Sequence, residues 1–267
     1  MPMYMKIILP QLELHKIEST FENTPHVHDD QFQVTIPVQG TCFFTHESKA
    51  VKLPAGEGLI LHPRDRHSFH IGPDAGVIII RVKDGCMYDQ EREKGFDPAL
   101  RQQFDPVAWT MLFRHWITGM LALDHSEKLA EEELELQVLA HLQRLLSGSG
   151  ASEIAPRLKT GTDTHLSRVL EYIHAHFTEE LSVDLLAALA RQSRFHFIRS
   201  FKSATGQTPY QYVLQLRIGK AKELLQRSSA TVTDISFALG FSSPSQFFRI
   251  FAKQVGATPE QYRSGTR

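Results

Sequence analysis

Apolar and polar positions follow two different rhythms along the chain. From Met5 to about Val82 the apolar residues fall in short runs rich in β-branched, aromatic or aliphatic side chains: Lys6–Leu9, Gln31–Pro37, Thr41–Thr45, Gly58–Leu61 and Val77–Val82. Gly40, Pro54-Ala55-Gly56, Pro63-Arg64-Asp65 and Gly72-Pro73 punctuate them, which is the grammar of strands separated by turns. Several short strands at this spacing predict a sandwich or barrel, here a small β-barrel. Pro37 has no N–H to give a ladder and is expected at a strand edge or bulge.

From about Pro98 the period lengthens. Val107, Met111, Leu112, Trp116 and Ile117 recur at helical steps, as do Leu134, Val138, Leu142, Leu145 and Leu146. Glu131-Glu132-Glu133 are expected in the first turn of the second helix, where carboxylates suit the macrodipole. That helix is apolar over more than one stripe, so one face packs on the barrel and a second serves either the core or a partner subunit. Ser147-Gly148-Ser149-Gly150-Ala151-Ser152 then reads as a linker. The expected organisation is an α+β two-domain chain: residues 1–146 a barrel with trailing helices, 147–162 the linker, and 163–267 an all-α domain.

The all-α part contains a repeat. Residues 193–212 (SRFHFIRSFKSATGQTPYQY) and 243–262 (SPSQFFRIFAKQVGATPEQY) align without a gap, fifty residues apart. Ser182, Ser193 and Ser243 are placed to cap helices, Gly206 and Gly256 to end them, and Thr208-Pro209 to start a long one reaching Arg227. The first copy's second helix is expected to bury Phe197, Phe201 and Ala204. At about 100° per residue from Phe197, Arg199 lies near 200°, Phe195 near 160°, Lys202 near 140° and His196 near 260°. Ser245, Gln246, Arg249 and Lys253 oppose the Phe247/Phe251 stripe in the same way. Each copy is thus helix, tight turn, helix, with an apolar inner face and an outer face of donors.

Charge sharpens this. The chain carries 29 Lys and Arg against 30 Asp and Glu, but residues 163–267 hold 13 against 8. A basic half beside an acidic one points to a polyanion partner. Arginine reads guanine bidentately in the major groove, glutamine reads adenine, and an exposed aromatic meets the thymine methyl. The candidate DNA-binding residues are therefore Arg194, Phe195, His196, Arg199 and Lys202 in one copy, and Ser243, Ser245, Gln246, Arg249 and Lys253 in the other. For Phe195, packing on a neighbouring helix is the alternative. A helix from Pro209 to Arg227 is about 28 Å long at about 1.5 Å per residue. That approaches the roughly 34 Å between successive major grooves on one face of B-DNA.

Residues 166–263 resemble the DNA-binding domain of the AraC/XylS family of bacterial transcription regulators. The resemblance is carried by LSVDLLAALARQS, FIRSFKSATGQTPYQYVLQLRIGKAKELL and VTDISFALGFSSPSQFFRIFAKQVGATPEQYR. It departs at Ser236, where the family usually has Ala, and at Ile198, a position often polar in relatives. In the first half His26-Val27-His28, Gln33, Gly40, Pro63 and His67 resemble the cupin family's metal motifs. Gln33 stands where that family has Glu, and His67 falls four residues after Pro63 rather than five. The resemblance to AraC/XylS regulators implies a cupin-like effector-binding and dimerisation domain, commonly without metal. His26, His28, Gln33 and His67 are the candidate effector-binding residues, lining a polar pocket. His62 and His70, with Arg64, Asp65 and Arg66, crowd the same turn, as ligand contacts or as a solvated loop.

No catalytic residue, metal or cofactor is expected. Cys42 and Cys86 fit neither a disulfide framework nor zinc-ligand spacing, and no signal peptide or membrane span is legible. The sequence therefore predicts a cytoplasmic, non-enzymatic transcription regulator. Its expected partners are double-stranded promoter DNA, a small-molecule effector under the Met1–Gln11 arm, a second copy in a homodimer, and RNA polymerase if it activates. A carbohydrate effector and activation are what the family resemblance implies. The competing readings are a metal-dependent cupin oxygenase or isomerase fused to a nucleic-acid-binding domain, and a constitutive DNA binder whose barrel only dimerises.

Overall fold

A computed structural model describes residues 3–86, 101–122, 127–146 and 164–265. The expected linker at 147–162 lies outside the described residues. The chain divides into two compact units, Met1–Met120 with Gln137–Ser152, and Leu121–Leu136 with Glu153–Arg267. The stretch 121–136, expected with the barrel, thus belongs to the helical unit.

Among the described residues of the first unit ten strands form two sheets. The six-stranded sheet runs β1-β2-β9-β4-β7-β10 and the four-stranded sheet β3-β8-β5-β6. Their ranges are β1 Met3–Ile8, β2 Leu12–Glu18, β3 Phe21–Glu22, β4 Gln31–Gln39, β5 Thr41–His46, β6 Lys49–Pro54, β7 Glu57–Leu61, β8 His67–Ile71, β9 Gly76–Lys83 and β10 Arg101–Gln103. All adjacent strands pair antiparallel. One apolar core draws on both sheets: Ile17, Leu59, Leu61, Val77 and Ile79 from one face Cys42, Phe44, Leu53, Phe69 and Ile71 from the other. This is a two-sheet sandwich, and no closed barrel is found among the described residues. Two sheets that bury one face each against a common core need no closure.

Pro37 sits where the β4–β9 register shifts, at a bulge, as its missing N–H requires. The Met1–Gln11 segment is no loose arm over its described part: Met3–Ile8 pairs with β2 as an edge strand. β2, β6 and β8 were not legible as strands, because charged residues and histidines interrupt their alternation. In β2 that includes a buried His15.

Two helices follow, α1 (Pro106–Ala122) and α2 (Lys128–Leu146). Helix α1 buries Trp109, Phe113, Trp116, Ile117 and Met120, so Trp116 and Ile117 of the expected stripe are buried while Val107 and Met111 are two-thirds exposed. The two tryptophans meet edge to face at 6.2 Å and hold the true stripe.

The helical unit contains α3 (Thr164–His176), α4 (Val183–Ala190), α5 (Arg194–Thr205), α6 (Pro209–Arg227), α7 (Val232–Ala238), α8 (Pro244–Val255) and α9 (Pro259–Gly265). Helices α3, α4 and α5 enclose one core with Leu129 and Leu136 of α2, and α7 and α8 enclose another. Helix α6 contributes to both, through Val213 on one side and Leu214, Ile218, Ala221 and Leu225 on the other. A single 19-residue helix therefore fixes one copy relative to the next.

Candidate nucleic-acid interface

Each copy builds its second helix from local signals. Ser182 accepts from Leu185 N to start α4, and Arg191 in the left-handed region (φ 53) turns the chain. Ser193 then caps α5 by accepting from His196 N. In the second copy Thr231 and Asp234 cap α7 reciprocally, Gly240 (φ 78) makes the turn, and Ser243 caps α8 by accepting from Gln246 N. Gly206 and Gly256, both at positive φ, end α5 and α8 as expected. Thr208, with Gln211 completing a capping box, starts α6.

Phe197, Phe201, Phe247 and Phe251 are fully buried. Opposite them His196, Arg199, Lys202, Ser245, Arg249 and Lys253 are exposed. Three expectations need correction, those for Ala204, Phe195 and Gln246. Ala204 is exposed rather than buried. Phe195 is half-buried against the core of its own copy, the packing alternative rather than a free aromatic. Arg194 lies 3.1 Å from Asp184 Oδ1. Gln246 is only 4% exposed: its Oε1 accepts from Ser242 N and Oγ at 3.0 and 2.9 Å, and its Nε2 donates to Glu127 Oε1 at 3.3 Å. An amide spent on internal partners does not read a base. Ser243 serves as a cap.

In the first unit the three histidines do converge. His26 and His67 form an antiparallel bridge, each donating its N–H to the other's carbonyl at 2.9 Å. Ring centroids lie 4.5 Å (His26–His67), 4.9 Å (His26–His28) and 5.3 Å (His28–His67) apart. Burial first, then Arg81 and the other two rings, pull His28 down to about 4. Burial likewise pulls His67 to about 4, against the Asp65 carbonyl, which favours its charged form. Gln33 is buried, accepting from Arg81 Nε at 2.9 Å and donating to Thr35 Oγ1 at 3.1 Å. The turn beyond holds itself together. Asp65 Oδ2 accepts from His62 N and lies 3.2 Å from His46 Nε2, while His70 stacks on Phe43.

Two family matches fit this geometry. One, described as an AraC-like ligand binding domain, covers residues 12–79, and the other, a helix-turn-helix domain, covers 186–265. The chain belongs to the AraC family of transcriptional regulators. Among AraC-family relatives, the HTH-type transcriptional activator RhaS of Klebsiella pneumoniae is 27% identical over 259 residues, covering 90% of this chain and 88% of that protein. The regulator YobQ of Bacillus subtilis is 27% identical over 248 residues, covering 92% and 91%. A crystal structure of the DNA-binding domain of AdpA with a target DNA is 35% identical, covering 38% of this chain and 92% of that one, with a TM-score of 0.37.

In this AraC-family chain the glutamates before and within α2 have work that sequence reasoning missed. Glu132 accepts from Val183 N at the start of α4, and Glu133 from Tyr210 N at the start of α6, both at 2.5 Å. Of the three glutamates expected in the first turn of α2 only Glu131 stands there; Glu132 and Glu133 are buried beyond it, and each supports the N-terminus of another helix. Burial raises Glu132 and pushes Glu133 up to about 7. Glu127 accepts from Arg217 Nη1 at 2.9 Å. Arg217, 3% exposed, also donates to the carbonyls of Phe177, Glu179 and Gly240. One signal was available: Arg217 interrupts the Val213–Leu214–Ile218–Ala221 stripe of α6, and a buried arginine demands an acid. Nothing local marks Glu127 as that acid.

Proposed function

We propose that the chain is a sequence-specific DNA-binding regulator in which α5 and α8 each read one element of promoter DNA from the major groove. Arg199 and Arg249 occupy equivalent exposed positions on the two helices, and that is the observation that carries the reading. Each has a lysine three or four residues on, Lys202 and Lys253, and each helix has its aromatic stripe buried behind it. Arginines at those points supply base readout and the lysines phosphate contact. His196 and Ser245 differ between the copies, so the two elements are expected to differ. Arg194, Phe195, Ser243 and Gln246 support the helices rather than touch bases.

The first unit takes a small-molecule effector, with His26, His28 and His67 facing it and Gln33 steadying Arg81 beside them. Control of a homodimer in the cytoplasm, contact with RNA polymerase and activation are the further parts of this reading. Activation draws support from the RhaS relative, named an activator. Among the described residues no helix is long and apolar enough to cross a membrane. No residue is assigned a catalytic role.

Selection of duplexes from a random pool by the full chain tests the DNA reading. It should enrich two distinct elements about one helical turn apart, with affinity falling steeply as salt rises. Enrichment of a single element, or of none, would refute it. A thermal-shift screen tests the effector, since a ligand at 100-fold its Kd adds about 2.7 kcal/mol.

A further inference from the structure

We propose that Glu127 is a positioning residue for DNA reading: its carboxylate pins the two helix-turn-helix copies at one mutual setting, and so fixes the spacing between the two DNA elements that the chain accepts. The inference rests on the reading of one element by each copy.

Glu127 Oε1 accepts from Arg217 Nη1 at 2.9 Å and from Gln246 Nε2 at 3.3 Å, and so joins α6 to α8. Gln246 holds Ser242 N and Oγ through its own Oε1, which ties in the turn before α8. It precedes Arg249 by three residues on the same short helix, so a shift at Gln246 is felt at Arg249. Arg217 reaches the other way. Its Nε donates to Phe177 O at 2.7 Å and its Nη2 to Glu179 O at 3.2 Å, both between α3 and α4 of the first copy. Nη1 also donates to Gly240 O at 2.8 Å, in the second copy's turn. One acid–base pair therefore touches the loop of the first copy, the shared helix α6, and the turn and second helix of the second copy.

The acid comes from outside both copies. The Glu127 carbonyl accepts from Ala130 N and Glu131 N, which starts α2 and fixes where the side chain begins. Leu129 and Leu136 of α2 are buried in the core of the first copy, and Glu132 and Glu133 hold the starts of α4 and α6. The element seated against the first copy thus reaches the second through Glu127.

The pair is suited to positioning more than to stability. Glu127 is 8% exposed and Arg217 3%. Desolvating two charges offsets most of their attraction, and the best-attested use of a buried polar group is to select one register among several. Apolar contacts along α6 also join the copies, but they are non-directional and admit small rotations. Charge-assisted hydrogen bonds to a planar guanidinium do not. A change of one base pair in spacing moves an element by about 3.4 Å along the duplex and turns it by roughly 35° about the axis. A junction held by directional bonds cannot follow that change, whereas one held by apolar contacts follows it in part.

The test uses the full-length chain as wild type, E127Q and Q246A. Each is bound to duplexes that keep the two selected elements constant and vary the spacer one base pair at a time. The wild-type chain should prefer one spacing over its neighbours by about tenfold or more, the scale of one hydrogen bond to a charged group. E127Q and Q246A should each shrink that margin severalfold while base preference inside each element stays as it was. Q246A carries the answer if E127Q does not fold, and urea midpoints report any loss of stability separately. A loss that is equal at every spacing, with the margin intact, makes Glu127 structural and overturns the proposal. So does a wild-type chain that selects two elements at no preferred spacing. Selection of a single element by the wild-type chain would instead refute the two-copy reading itself.

Discussion

The two helix-turn-helix copies share a backbone grammar but are held together by different means. The second caps its helix starts from within, Thr231 and Asp234 at α7 and Thr258 and Gln261 at α9, and leans on Glu127 through Gln246. The first has its own caps, Ser182 at α4 and Thr208 with Gln211 at α6, and adds borrowed ones. Carboxylates from α2 reach the N-termini of α4 and α6, through Glu132 and Glu133. The turns differ too. The left-handed residue is Arg191, two before the Ser193 cap, in the first copy and Gly240, three before the Ser243 cap, in the second. A duplicated unit can thus keep its exposed basic face while its supports diverge, because caps and turns are satisfied by whatever acceptor or glycine the surroundings provide.

The sharpest break of the comparison lies at the turn. A Cβ on Gly240 would stand 2.1 Å from Thr178 O at φ 78. Gly240→Ala should cost about 4 kcal/mol or more in urea unfolding, combining left-handed strain with a backbone clash. Gly206→Ala and Gly256→Ala, whose Cβ atoms would meet nothing within 4 Å, should cost about 1–2 kcal/mol each.

Next comes the support of the second copy. Glu127→Ala leaves Arg217 buried without its acid, and should destabilise the helical unit by roughly 3 kcal/mol, the lower end for a broken buried pair. The three carbonyls that Arg217 retains keep the loss from being larger. Gln246 loses a partner in the same variant.

The borrowed support of the first copy should respond to pH. Glu133 sits at about 7 when folded against an ordinary 4.5, so the folded state holds that proton more tightly. Its contribution is full below pH 4.5 and is lost as pH rises through 7, a change of roughly 1–3 kcal/mol. Urea midpoints across pH 4 to 8 should show this decline, and Glu133→Gln should flatten it.

Gln246 and His196 separate the copies at the smallest scale. Gln246→Ala should cost about 1 kcal/mol by leaving Ser242 without its acceptor, and should leave base preference unchanged. His196→Ala should do the reverse: unaltered stability and a relaxed preference in the first element.

The helical unit was legible because its determinants are local. Ser193, Ser243, Gly206, Gly256 and Thr208-Pro209 act on the next three or four residues, and the phenylalanine stripes follow from period alone. Gln246 was misplaced because it stands about 100° from Phe247, on the flank of the buried stripe. At that flank neighbours rather than periodicity decide, and the neighbour was Glu127. Ala204 lies on the stripe's line but in the last turn of α5, beyond the packing. In the first unit the strands with β-branched runs were legible, while β2 and β8 were hidden by His15 and His67, polar residues that the fold buries. The convergence of His26, His28 and His67 was only partly readable. Sequence gives the spacing of the first two, but the third arrives through an isolated bridge between distant segments.

The account's central claim is that each copy reads its own element through one arginine. Binding of Arg199→Ala and Arg249→Ala to duplexes carrying every single-base change across a selected operator tests it directly. Each variant should lose about 1–3 kcal/mol and relax preference at one position, in different elements, with stability unchanged. Wild-type affinity and preference in both variants, or relaxation by both at the same position, would contradict it.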